Sequence, residues 1–196
     1  VIEQARAVGA NVIEGTPVAF WWPRDPLRHP ETDEADDLGP RILAAFGVGY
    51  ERTSAQDVGF GLRQLVDIAT RAVSPGVNDP TTAVHALGHI SAVLADLARL
   101  PEQPPVLRDD DGVPRLAVRR HDFADLLELG VAQARRYGAS DPDVAARLFG
   151  LLRDVAYATR RDADRAAIAA QLERLEGTVA TAGYDATELE RFSRLS

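Results

Sequence analysis

Hydrophobic residues recur at helical intervals over most of this chain, and at alternating intervals only near its start and near residue 110. Val58, Leu62, Leu65, Val66, Ile68, Ala69, Ala72 and Val73 cover an arc of roughly 160° on a helical wheel. So wide an arc predicts a central helix from Thr53 to Val73, packed on more than one side. Thr53 and Gln56 have the spacing of a capping box, and Ser74-Pro75-Gly76 stops the helix. A second helix is expected to start at once, with Asp79 as N-cap and Pro80 at the first helical position, where no hydrogen bond is lost. It runs to about Leu100, and Ala83, Leu87, Ile90, Leu94 and Leu97 form a seam for another helix.

Further helices are predicted from Phe123 to Tyr137 after Asp122, from Pro142 with Val144, Leu148, Leu151 and Val155 inward, and from Asp162 to Ala182 with Ile168, Leu172, Leu175 and Val179 inward. A short one follows over Thr187 to Leu195. Residues 1 to 22 read mainly as β. Val8-Gly9-Ala10-Asn11 and Glu14-Gly15-Thr16-Pro17 mark turns, and Val18, Phe20 and Trp22 alternate along one face. Val106-Leu107-Arg108 and Arg115-Leu116-Ala117-Val118 flank an acidic turn and predict a β-hairpin near 106–119. The proline-rich stretch after Trp22, with Glu31, Asp33, Glu34, Asp36 and Asp37, reads as a linker, and His29 within it as a solvated side chain. Residues 39 to 50 suit either a short helix or a strand.

The fold class expected is therefore α+β, mostly α. An antiparallel helical bundle occupies residues 41–196, a small β-hairpin or meander residues 1–30, and an acidic linker residues 31–40.

Composition narrows the chemistry. The net charge is −8, with 22 basic against 30 acidic residues, so no basic field is present to hold a phosphate backbone, and no nucleic-acid partner is expected. Every basic residue is arginine, which removes Schiff-base lysines, the P-loop lysine and lysine-borne cofactors. Cysteine is absent as well, which removes disulfides, thiolate metal sites and cysteine nucleophiles. No apolar run approaches the ~20 residues of a membrane span, so this stretch is expected to be soluble. Methionine is missing even at position 1, which predicts a start inside a longer protein.

His85 and His89 stand one helical turn apart, a spacing that lets two imidazoles share a metal. The glutamate of His-Glu-x-x-His is missing, and Asp96 is roughly 10 Å further along the axis. A solvated face is the better reading, and no metal is expected. In Asp109, Asp110 and Asp111 the next glycine comes too early for a calcium loop, and a hairpin turn fits better. No nucleophile elbow or triad pattern is present.

The strongest candidate for a ligand site is the corner between the first two helices. Its residues are Arg63, Arg71, Asn78, Asp79, Thr81 and Thr82. Free N–H groups at the start of the second helix, with the two threonine hydroxyls beside them, favour an anion or a carboxylate side chain. The alternative is purely structural: Asn78 and Asp79 satisfy those donors, and Arg63, Asp67 and Arg71 form an i, i+4, i+8 ladder.

At this corner Phe60-Gly61-Leu62-Arg63-Gln64-Leu65-Val66-Asp67-Ile68-Ala69, followed by Arg71-Ala72-Val73-Ser74-Pro75-Gly76-Val77-Asn78-Asp79-Pro80-Thr81-Thr82-Ala83, resembles the hallmark stretch of the bacterial membrane protein family catalogued as domain of unknown function 2254. The resemblance extends more loosely over residues 51–57, 15–19 and 122–127. It implies a region that follows N-terminal transmembrane helices in an integral protein of the cell membrane, with this part on the cytoplasmic side. No catalytic residue and no cofactor comes with the resemblance. The function expected is regulatory or protein-interacting, with homo-oligomer formation as one form of it. The alternatives are a small-anion or metabolite sensor at the 63–82 corner and a metal-dependent enzyme at His85 and His89.

Overall fold

The computed structural model describes residues 1–25, 27–28 and 31–195; His29 lies outside the described residues, as do Pro26, Pro30 and Ser196. The chain forms two compact units. One comprises residues 1–57 with 102–120, the other residues 58–101 with 121–196. The fold is α+β and mostly α, as expected.

In the first unit β1 (Ile2–Gln4) pairs antiparallel with β2 (Ala19–Trp21), Ile2 facing Trp21. Gly9 and Gly15 have φ of 78° and 82°, a backbone that only glycine adopts without strain, so the expected turns lie where the glycines are. The hairpin of β3 (Val106–Arg108) and β4 (Pro114–Ala117) was expected within the helical part. It instead completes a four-stranded sheet of order β2-β1-β4-β3, because β4 runs parallel to β1 with Leu116 opposite Ile2. Its acidic turn is tied by Asp109, which accepts from Val113 N at 2.8 Å and from Arg115 Nε at 2.7 Å. Chiefly through the Val113 bond, its pKa is lowered from the ordinary carboxylate value.

The acidic stretch read as a linker is a helix, α1 (Thr32–Ala44), despite Pro40 inside it. Charge explains the difference. Asp33 and Glu34 occupy its first turn and Arg41 its last, each sign at the end the helix dipole favours, and Arg41 pairs with Asp37 at 3.2 Å. Leu38, Ile42 and Phe46, four residues apart, are half-buried.

The second unit is a bundle of α2 (Val58–Ala72), α3 (Pro80–Arg99), α4 (Phe123–Gly138), α5 (Pro142–Ala158), α6 (Asp162–Ala180) and α7 (Ala186–Ser193). Aspartates start most of them. Asp79, Asp122, Asp141 and Asp185 each accept backbone N–H bonds from the first turn that follows, and Asp185 closes a full capping box with Glu188. The first central helix begins at Val58, five residues later than the Thr53–Gln56 pattern predicted. Asp57, just before it, has a side chain only 5% exposed and is held by Arg52 Nε at 3.0 Å and Nη2 at 2.6 Å.

The core is built from most of the inward residues predicted on α2, α3, α5 and α6, with Leu127 and Val131 of α4 added. Leu62, Val66, Leu87, Ile90, Leu94, Leu127, Val131, Leu148, Leu151, Val155, Ile168 and Leu175 are buried together. α3 packs on α2, α4 and α5, and α2 also on α4. Gly130 permits the approach of α4 to α3, since a Cβ there would lie 3.1 Å from both Ile90 and Leu94 side chains. The predicted apolar arc of α2 is narrower in the structure: Val58 and Ile68 are 40% and 50% exposed. At the far end Phe192 stacks on Phe149 with centroids 5.6 Å apart, and Tyr184 meets Phe192 edge-on.

Candidate functional site

The α2–α3 corner is built by the backbone. Asn78 N donates to Ser74 O at 2.9 Å and Asp79 N to Ala72 O at 2.8 Å, while Ser74 Oγ bonds the carbonyl of Arg71 at 2.7 Å. This tight reversal puts Asn78 at φ 48°, the left-handed region that asparagine tolerates better than most residues.

From there the chain enters α3. Asp79 accepts from Thr82 N at 3.0 Å and from Thr82 Oγ1 at 2.5 Å, and its main-chain oxygen accepts from Ala83 N at 3.3 Å. The Thr82 hydroxyl bond, then the Thr82 N–H bond, holds the Asp79 pKa below the ordinary carboxylate value; His85 and the Thr81 N–H add to this. Pro80 has no N–H. Every early donor of α3 therefore faces Asp79 itself.

Asn78, Asp79, Thr81 and Thr82 thus lie together, with Arg71 one residue before the end of α2. Arg63 does not join them at the turn: it is nine residues before Ala72, about 14 Å back along the helix axis. The Arg63, Asp67 and Arg71 ladder is not paired. None of the three forms an ion pair among the described residues, and Arg71 is exposed while Arg63 is half-buried. His85 and His89 are both exposed, and among the described residues no group of three or more His, Asp or Glu side chains is placed to hold a metal ion.

A second concave feature lies between α3 and α5. It is an open groove of about 570 Å³ lined by Gly88, Ser91, Ala92 and Ala95 on one side and by Arg147, Arg153, Asp154 and Tyr157 on the other, with Asp96 and Arg99 at one end. Ser91, 3% exposed, donates its hydroxyl to Asp154 Oδ2 at 3.1 Å, and Arg147 Nη1 reaches the same oxygen at 3.2 Å. Arg99 pairs with Asp96 at 2.8 Å. No local pattern in the sequence marks both sides of this groove, because Ser91 and Asp154 are 63 residues apart. The one local signal was the run of small residues Gly88, Ser91, Ala92 and Ala95 beside the leucine seam of α3.

These features define an α+β, mostly helical protein in which no helix of the described residues is long and apolar enough to cross a membrane. The chain belongs to the family described as predicted membrane protein, DUF2254, whose profile matches residues 1–154. Uncharacterized proteins of Mycobacterium bovis and of two strains of Mycobacterium tuberculosis are each 42% identical to it over 136 residues. The match covers 69% of this chain and 26% of each relative, so the chain spans about a quarter of their length. No solved structure matches it.

Proposed function

We propose that this chain is the extramembranous regulatory or protein-interaction region of a longer membrane protein, on the cytoplasmic side. The observation that carries this reading is a mismatch. The family is described as membrane protein, yet no helix among the described residues is fit to span a bilayer, and the relatives are about four times as long as the matched stretch. Apolar side chains left outward supply surface for a protein contact, with a second copy of the chain as one form of it: Ile68 and Val77 are 50% and 55% exposed. The absence of cysteine makes the test simple. A single Thr187→Cys in the longer protein, other cysteines removed, is expected to react with a membrane-impermeant maleimide only after the cells are opened. Labelling of intact cells overturns the cytoplasmic placement, and recovery of the longer protein without membranes overturns the reading as a whole.

A small-anion sensor at Arg63, Arg71, Asn78, Asp79, Thr81 and Thr82 is the second reading, favoured by an exposed Arg71 with no carboxylate partner among the described residues. Against it stands the capping by Asp79, which occupies the donors an anion needs. Under this reading inorganic phosphate raises the melting temperature of the chain, and Arg71→Ala removes the rise.

A further inference from the structure

The α3–α5 groove has the size of a metabolite site. Its charges do not cancel. Asp96 is matched by Arg99 and Asp154 by Arg147, whereas Arg153 forms no ion pair among the described residues. A protein with a net charge of −8 thus carries here a concave surface with three guanidinium groups against two carboxylates. Arg147 is also held in place: the buried Ser91 fixes Asp154 from α3, Asp154 fixes Arg147, and a guanidinium with five N–H donors keeps others free.

The floor of the groove adds an independent observation. Gly88 lies in the middle of α3, where glycine is the least favourable residue after proline, and a Cβ added there would meet nothing within 4 Å. Packing inside the chain does not require a glycine at this position. The open space above it, continued by Ala92 and Ala95, is the shape that a flat or slender body would fill.

We propose that the groove binds a small organic oxyanion, a carboxylate or a phosphate ester. Its charged end lies on Arg147 and Arg153 and its body over Gly88, Ala92 and Ala95. This site is separate from the 63–82 corner and does not rest on the membrane placement.

The test uses calorimetric titration of the 196-residue chain with two probes, inorganic phosphate and benzoate. Saturable binding of phosphate alone identifies a phosphate group as the recognised end, and binding of benzoate alone a carboxylate; either result supports the site. Arg153→Gln, an exposed change, is expected to weaken the bound probe by about tenfold. Gly88→Leu fills the floor and is expected to abolish benzoate binding without lowering the melting temperature. Arg71→Gln, at the 63–82 corner, is expected to leave binding unchanged. Failure of both probes to saturate overturns the proposal. So does binding that Arg153→Gln does not alter, or binding that Arg71→Gln removes.

Discussion

Ser91 on α3 and Asp154 on α5 are joined by a 3.1 Å hydrogen bond that crosses 63 residues of sequence. The hydroxyl comes from a buried position and the carboxylate is half-exposed, with Arg147 on the same oxygen. The bond therefore links two of the most closely packed helices of the bundle while leaving the carboxylate in contact with water.

A double-mutant cycle measures that link. Ser91→Ala removes the donor without opening a large cavity, and Asp154→Ala removes the acceptor. Each single change is expected to cost about 1 kcal/mol, the discount for solvent at Asp154 included, and the pair less than the sum. Urea unfolding of the four proteins checks it; strict additivity would show that the bond contributes nothing.

Asp79 sets a dependence on acid. Its pKa is lowered in the folded chain by the two bonds from Thr82, so the stability it contributes is fully present above its unfolded value near 3.8 and is lost as pH falls through the lower folded value. Asp79→Asn keeps the cap, since asparagine caps as well as aspartate, but does not titrate. The variant is expected to lose less stability than the parent between pH 5 and pH 2, as followed by denaturation midpoints across that range.

How much of this was legible in the sequence depended on the range of the interaction. Asp79, Asp122 and Asp141 act on the first turn of the helix beside them, so short-range rules placed α3, α4 and α5 within a residue or two. Leu87, Ile90 and Leu94 face the core because a period of 3.6 leaves them no other side. The parallel pairing of Ile2 with Leu116 has no local signature, and neither has the meeting of Ser91 with Asp154. At α1 the acidic composition is that of a solvated linker, and only the placement of each charge along the dipole marks a helix. The corner residues were identified as a cluster, but the spacing of Arg63 from Arg71 along one helix already separated the two ends.

Tyr184 provides a test in alkali. Its hydroxyl donates to the carbonyl of Ala139 at 2.7 Å, and burial first, then the charges of Asp141 and Glu188, push its pKa up to about 12. A phenol whose folded pKa is raised contributes stability that is full below the unfolded value near 10 and is lost as pH rises toward the folded one. The parent is expected to weaken between pH 10 and 12 more steeply than Tyr184→Phe, which has no proton to lose; identical slopes would place the phenol in water.

Gly9 and Gly15 have nearly the same left-handed φ but different surroundings. A Cβ at Gly15 would meet nothing within 4 Å, so Gly15→Ala carries only backbone strain, of order 1 kcal/mol. A Cβ at Gly9 would collide with Asp57 Oδ2 and fall 2.7 Å from Arg52 Nε, so the same substitution there must also displace the Arg52–Asp57 pair. Asp57 is almost fully buried, so moving the Arg52 guanidinium away weakens an ion pair at a carboxylate that water reaches poorly. Gly9→Ala is therefore expected to cost about 1 to 2 kcal/mol more than Gly15→Ala, the exposure of Arg52 being discounted. Protection of the β1 and β2 amides from hydrogen exchange reads the difference locally: it falls in both variants, and much further for Gly9→Ala. Equal losses in the two would mean that the pair moves aside freely and that Gly9 is required by its backbone angle alone.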